Sequence, residues 1–158
     1  MKQILWFVKT YATLVVLFVL QKPLFLILEK GAATQPIDNI FADMPAVIWH
    51  GLPLDLSMAG YLSVIPGIMS IAAVWFKKDL IRPIMNVYFV IVSLIITCSF
   101  LVNASLYPYW KYPLDSTPLF YFLTSPADAI ASVSIWQVVL TLLIWIVLTV
   151  AIWFLIRM

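Results

Sequence analysis

Four stretches of this sequence are each apolar over about 20 residues or more, which is the length that a helix needs to cross the hydrocarbon core of a bilayer. They cover residues 4–28, 54–76, 83–106 and 134–156. Hydrophobic residues make up 65% of the chain and charged residues 10%, whereas about a quarter of the residues of a soluble domain are charged. We therefore predict an all-α fold, a polytopic membrane helix bundle of about four transmembrane helices that forms a single domain over residues 1–158.

The connections between these stretches differ in length. The second and third stretches are joined by a tight turn, KKDLIR, while the connections at residues 29–53 and 107–133 are long. Both long connections mix apolar and aromatic residues with Pro and turn-forming residues, as in IFADMPAVIW. Because such segments tend to lie at the membrane interface as short amphipathic helices, we expect interfacial helices in both connections. We expect the functional surface to lie on the side of the membrane that carries these two connections, the outer side.

The basic residues predict the orientation, because cytoplasmic loops carry an excess of Lys and Arg. With a cytoplasmic N-terminus, Lys22 lies within the first span, and the others divide six to two between the inside and the outside. The inner residues are Lys2, Lys9, Lys77, Lys78, Arg82 and Arg157, and the outer ones are Lys30 and Lys111. We predict that both the N-terminus and the C-terminus are cytoplasmic.

The composition argues against several classes of function. The nine Lys and Arg residues are scattered and form no basic stripe, so we expect no nucleic-acid partner. One cysteine, Cys98, and one histidine, His50, are too few for a Cys/His zinc site or a bis-His haem site. We assign no metal ligand, cofactor or catalytic residue to this chain, and leave open whether it has enzymatic activity.

Two charged positions stand out. Lys22 would lie at membrane depth, where an ionisable residue is a functional-site hypothesis; it either snorkels to the outer interface or contacts an anionic lipid or substrate. Gly51 and Pro53 indicate a turn, after which Asp55 is placed to cap the second span. The functional alternative is that His50 and Asp55 form a pair that binds a lipid head group or positions a neighbouring domain.

Small and polar residues mark two of the spans. Ala59, Ser63 and Gly67 recur every four residues, a ladder that lets another helix approach closely, and packing within the bundle is favoured over dimerisation. Pro66 should kink the helix and free backbone groups for a neighbouring hydroxyl or water. Interhelical hydrogen bonds are expected from the polar residues of the third span, Asn86, Ser93, Thr97 and Asn103.

Two stretches carry a resemblance, WHGLPLDLSMAGYLSVIP and LYPYWKYPLDSTPLFYFLTSPADAIASVS. They resemble the membrane portion of the lipoteichoic-acid-synthase-like and phosphoglycerol-transferase-like proteins of the sulfatase/alkaline phosphatase superfamily, most closely those of Gram-negative, Bacteroidetes-type bacteria. The similarity covers roughly residues 49–134 and extends, through span count and spacing, over most of the chain.

The resemblance implies a bacterial cytoplasmic (inner) membrane protein, with an anchor of about five helices followed by an extracytoplasmic catalytic domain. In the family, that domain holds a threonine nucleophile and Mn or Mg and acts on phosphoglycerol or related esters. This sequence has four spans and no such domain, so no nucleophile or metal ligand is carried over to it. We expect a fragment or a truncated form.

Two hypotheses about function follow. The preferred one is a membrane anchor and lipid-facing scaffold of such an enzyme, with the bilayer, an anionic or lipid-linked substrate and the C-terminal catalytic domain as partners. Its outer polar contacts would be Lys22, His50, Asp55, Lys111 and Asp115. The alternative is a self-contained small membrane transporter or a membrane-complex assembly subunit. A transporter would need a polar pathway, for which the candidates are Lys22, Asn86, Thr97 and Asn103.

Overall fold

The computed structural model describes residues 2–29, 40–75, 78–111, 114–125 and 134–157. Lys30 and Lys77, on which the orientation was partly based, lie outside these residues. The described residues form five helices and no strand. The helices are α1 (Lys2–Leu28), α2 (Ile40–Ala72), α3 (Lys78–Trp110), α4 (Thr117–Thr124) and α5 (Ile135–Arg157). The prediction of an all-α fold is confirmed.

Four of the helices, α1, α2, α3 and α5, are long and apolar enough to cross a membrane. The chain is therefore a multi-pass membrane protein, as predicted. The short helix α4 lies in the second long connection, where a short helix was expected. In the first long connection, the described residues from Ile40 onward instead belong to the first turns of α2.

The start of α2 differs from the prediction. The helix begins at Ile40 and continues through Pro45 and Pro53, so the expected turn at Gly51 and Pro53 and the capping role of Asp55 are wrong. A proline inside a helix removes one hydrogen bond without always ending the helix, and a low-polarity environment favours backbone groups that are satisfied within the helix. With 33 residues, α2 is about 50 Å long at 1.5 Å per residue, so part of it must lie outside the hydrocarbon core or the helix must tilt.

Contacts between helices show the direction in which each one runs. Gly67, near the end of α2, faces Phe7 near the start of α1, so these two helices are antiparallel. Trp153, near the end of α5, donates from Nε1 to the Asn86 side-chain oxygen near the start of α3 at 3.2 Å, so α3 and α5 are antiparallel as well. The ring of Trp6 lies 6.2 Å from that of Phe89.

The Trp6–Phe89 contact lies near the starts of α1 and α3. The rings of Phe25 and Tyr107, near the ends of the same two helices, lie 5.1 Å apart, so α1 and α3 run in the same direction. The start of α1, the end of α2, the start of α3 and the end of α5 therefore lie at one end of the bundle. We call this the basic end, after Lys9, Arg82 and Arg157, and the opposite end the distal end.

The buried core is small. It consists of Leu14, Ala59, Met85, Phe89, Val92, Ile96 and Ile156. Most large apolar side chains are exposed in the isolated chain, as Leu143 illustrates, and such residues face lipid in a membrane. Because lipid tails are as apolar as leucine, there is no hydrophobic force between the helices, and close packing and interhelical hydrogen bonds must hold the bundle together.

One such hydrogen bond compensates for a proline. Pro66 has no N–H group to donate to the carbonyl of Leu62, four residues earlier. The hydroxyl of Tyr88 on α3 donates to this carbonyl at 2.6 Å. The prediction that a neighbouring hydroxyl would satisfy a backbone group freed by Pro66 is confirmed.

The polar residues of α3 follow the prediction in part. Thr97 and Thr149 of α5 share a hydrogen bond of 2.8 Å between their hydroxyl oxygens, and Asn86 accepts from Trp153, so both make the interhelical bonds that were expected. Asn103 instead accepts at 2.7 Å from the backbone N–H of Leu114, in the connection that follows α3. The Ser93 hydroxyl is buried with no hydrogen-bond partner among the described residues.

Candidate functional site

An ion pair joins α1 to α2 within the membrane-spanning helices. The ammonium group of Lys22 donates to Oδ1 of Asp55, and the side chains are 21% and 6% exposed, respectively. Both residues lie inside helices, Lys22 more than a turn before Leu28 and Asp55 well past Ile40. Each charge therefore offsets the cost of burying the other.

Because Gly51 has no side chain, it leaves space for the Lys22 side chain to reach Asp55. Gly51 precedes Asp55 by one helical turn and so lies on the same face of α2. A Cβ atom added at Gly51 would overlap Cε of Lys22 and would lie 2.9 Å from its Nζ. The lysine chain is flexible, but to avoid such a group its Cε and Nζ would have to shift from the positions at which Nζ now contacts Asp55. Lys22, Gly51 and Asp55 thus form one structural unit, which we call the Lys22–Asp55 clasp.

One carboxylate oxygen of the clasp makes no hydrogen bond to the described residues. Oδ2 of Asp55 is buried and has no hydrogen-bond partner among the described residues. A buried carboxylate oxygen without a donor raises the free energy of the folded state. This oxygen can accept a hydrogen bond from a water molecule or from a ligand group that reaches it.

His50 does not take part in the clasp. Its ring is exposed, and Nδ1 lies 2.7 Å from the backbone oxygen of Ala46, one turn earlier in the same helix. The structure pairs Asp55 with Lys22, so the hypothesis of a pair between His50 and Asp55 is wrong. On a helix, residues five positions apart do not share a face as closely as residues four apart.

The other two predicted outer contacts, Lys111 and Asp115, lie beyond the end of α3. Lys111 is exposed and has a φ of 62°, in the left-handed region that often ends a helix. Asp115 accepts from the backbone N–H and from the hydroxyl of Thr117, each at 2.9 Å. Asp115 therefore supports the start of α4, a role unrelated to the clasp.

The ladder of small residues lies against α1. Ala59 and Ser63 are buried, and a Cβ at Gly67 would lie 3.2 Å from the ring of Phe7. Beside the ladder is an open apolar groove of about 380 Å³. It is lined by Phe7, Tyr11, Gly60, Ser63, Val64, Gly67 and Ile68. The hydroxyl of Ser63 is buried and has no partner among the described residues.

A second groove of about 370 Å³ lies between α3 and α5. Cys98 and Ser105 of α3 face Thr141 and Trp145 of α5 across it, together with apolar side chains. Both grooves are shallow and are lined mostly by carbon atoms. They suit an acyl chain or another helix better than a polar solute. Within the described ranges, no three His, Cys, Asp or Glu side chains are grouped so as to hold a metal ion.

The sequence interpretation singled out both members of the clasp but did not join them. Asp55 was placed at the beginning of a helix, where its charge needed no partner. A signal was nevertheless present, because Lys22 and Asp55 carry opposite charges on two consecutive spans, and a charge within a span needs such a partner.

No protein-family model, curated protein or solved structure matches the chain. The family resemblance of the two quoted stretches remains a prediction.

Proposed function

We propose that this chain is a membrane anchor and lipid-facing scaffold of a sulfatase-family, phosphoglycerol-transferase-like or hydrolase enzyme that acts outside the cytoplasmic membrane. The observation that carries the scaffold role is that polar side chains of the spans bind one another between helices. Lys22 binds Asp55, Thr97 binds Thr149, and Asn86 binds Trp153. Such bonds stabilise a bundle and leave its outer surface to lipid.

The enzymatic part of the proposal comes from the resemblance alone. In it, the catalysis and the Mn or Mg ion belong to an extracytoplasmic domain, and this chain supplies the membrane support. A small tag at the N-terminus of the chromosomal gene would test this, with the native product sized by immunoblot. A band several times larger than 18.0 kDa supports an anchor within a longer enzyme, and a band at that mass contradicts it.

The proposed orientation places the basic end in the cytoplasm. It is supported by the position of Lys9, Arg82 and Arg157 at one end of the bundle, since positive residues are retained on the cytoplasmic side. Green fluorescent protein fused at the C-terminus should fluoresce. Alkaline phosphatase inserted after Ser116 should be active, because this enzyme needs the oxidising exterior. Activity of the phosphatase at the C-terminus and none after Ser116 would reverse the orientation.

The geometry supports a scaffold over a transporter. Asn86 and Thr97 are bound to α5, Lys22 is bound to α2, and Asn103 is bound to the connection after α3. The four candidate residues thus serve separate contacts and form no common pathway. Saturable flux of a solute into vesicles that contain the purified chain would contradict the scaffold proposal.

A further inference from the structure

Lys22 is followed in the sequence by Pro23, at a weak point of α1. Pro23 has no N–H group, so the helix lacks the hydrogen bond to the carbonyl of Val19. A missing bond of this kind is a common cause of bends in helices. The residues of α1 beyond Pro23 are therefore less firmly attached to the rest of the helix than a continuous hydrogen-bond ladder would make them.

These last turns of α1 contact the distal end of α3. The ring of Phe25 meets that of Tyr107 nearly edge to face, at 5.1 Å and 79°. This aromatic geometry is favourable, but it holds only while the segment after Pro23 points toward α3. On the α3 side, Asn103 binds the backbone of Leu114, so the same end of α3 also holds the connection that leads to α4.

We propose that the Lys22–Asp55 clasp fixes α1 at Pro23 and thereby holds the last turns of α1 against the distal end of α3. The clasp binds α1 to α2 immediately before the weak point, and the Phe25–Tyr107 contact lies immediately after it. Without Asp55, the lysine would lose its buried partner and would move toward the interface. The segment from Pro23 to Leu28 would then follow the lysine away from Tyr107.

The clasp would hold α1 in this way whether or not the chain belongs to an enzyme. Its requirement for Asp55 distinguishes it from the two other possible roles of Lys22, snorkelling and lipid binding. A snorkelling lysine or a lysine that binds lipid phosphate needs its own positive charge but has no need of Asp55. The clasp needs opposite charges at the two positions and allows them to be exchanged.

The test is a distance measured by pulsed electron paramagnetic resonance on the full chain in liposomes. Spin labels are attached at Leu28→Cys and Tyr109→Cys, two exposed positions, with Cys98 replaced by Ser. We expect one narrow distance distribution for this parent. With Lys22→Leu or Asp55→Leu, the population at other distances should rise about tenfold or more, as expected when a buried charge loses its partner. The exchange Lys22→Asp with Asp55→Lys should restore the narrow distribution.

Lys9→Leu is the matched control, because it removes a lysine from the basic end of the same helix. It should leave the distribution unchanged. Narrow distributions in both single variants would overturn the proposal. So would a narrow distribution in Asp55→Leu beside a broad one in Lys22→Leu, because Lys22 would then act through a group other than Asp55.

Single charge variants can fail to accumulate in membranes, and a second pair of variants covers this case. Gly51→Ala keeps both charges but places a methyl group where Cε of Lys22 lies, whereas a Cβ at Gly60 meets no atom within 4 Å. Gly51→Ala should broaden the distribution, and Gly60→Ala should not. The same narrow distribution for both glycine variants would contradict the clasp.

Discussion

The hydroxyl of Tyr88 lies 2.6 Å from the backbone oxygen of Leu62 and donates a hydrogen bond to it across the contact between α3 and α2. The carbonyl is available because Pro66 cannot donate to it. A side chain from one helix thus replaces a backbone bond missing from another. This contact both repairs α2 and orients it relative to α3.

Tyr88→Phe should destabilise the bundle. The change removes the donor and leaves the Leu62 carbonyl unsatisfied in an apolar environment, at a cost of about 1–2 kcal/mol. The free energy of unfolding in mixed micelles, titrated with sodium dodecyl sulfate, would measure it. Tyr61→Phe is the control, because Tyr61 is exposed and should change the value little.

A second measurement tests whether the Leu62 carbonyl needs the Tyr88 hydroxyl because of Pro66. In a Pro66→Ala background, the backbone N–H at position 66 can bind the Leu62 carbonyl, so Tyr88→Phe should cost clearly less there. A double-mutant cycle measures the difference. An equal cost in both backgrounds would show that the tyrosine stabilises the bundle by packing alone.

Gly67→Leu should destabilise the packing of α1 on α2. A Cβ at this position already lies 3.2 Å from the Phe7 ring, and a larger side chain would force the helices apart at a cost of about 1–3 kcal/mol. Gly60→Leu, in the same helix, points its Cβ into open space and should be tolerated. Unfolding titrations of the two variants would show the contrast, and equal values would contradict the close approach at Gly67.

Thr97→Val should cost more than Thr149→Val. The Thr97 hydroxyl donates to the Ser93 carbonyl at 2.8 Å, so the hydroxyl of Thr149 must be the donor between the two threonines. Thr97→Val leaves the Thr149 hydroxyl without its acceptor and should lower the free energy of unfolding by about 1 kcal/mol. Thr149→Val leaves the bond from Thr97 to Ser93 intact and should lower it by less than about 0.5 kcal/mol. Thermal unfolding in detergent would rank the variants, and the reverse order would refute this assignment of the donor.

Asn103→Ala should loosen the connection between α3 and α4. The side-chain oxygen of Asn103 accepts from the backbone N–H of Leu114 at 2.7 Å, and hydrogen exchange of this N–H should accelerate when the acceptor is removed. Mass spectrometry of the peptide that contains Leu114 would detect the change. Asn103→Asp keeps an acceptor oxygen and should preserve the protection; faster exchange in that variant as well would argue against the bond.

Span positions were largely predictable from the sequence. Two predicted stretches, residues 4–28 and 134–156, agree closely with α1 (Lys2–Leu28) and α5 (Ile135–Arg157). Hydropathy is informative there because a bilayer requires an apolar, internally hydrogen-bonded segment of a certain length. The beginning of α2 was missed because Pro45 and Pro53 indicate a break, whereas the helix continues through both.

The sequence by itself determined that the chain crosses a membrane as helices, because that outcome depends on the local apolar run and on the requirement of lipid for satisfied backbone groups. It also identified Lys22 and Asp55 as charges that need an explanation. Only the tertiary structure decided that they bind each other. Their meeting depends on the register between α1 and α2, on the space left by Gly51 and on the continuation of α2 through Pro53, and these relationships between distant residues have no local pattern in the sequence.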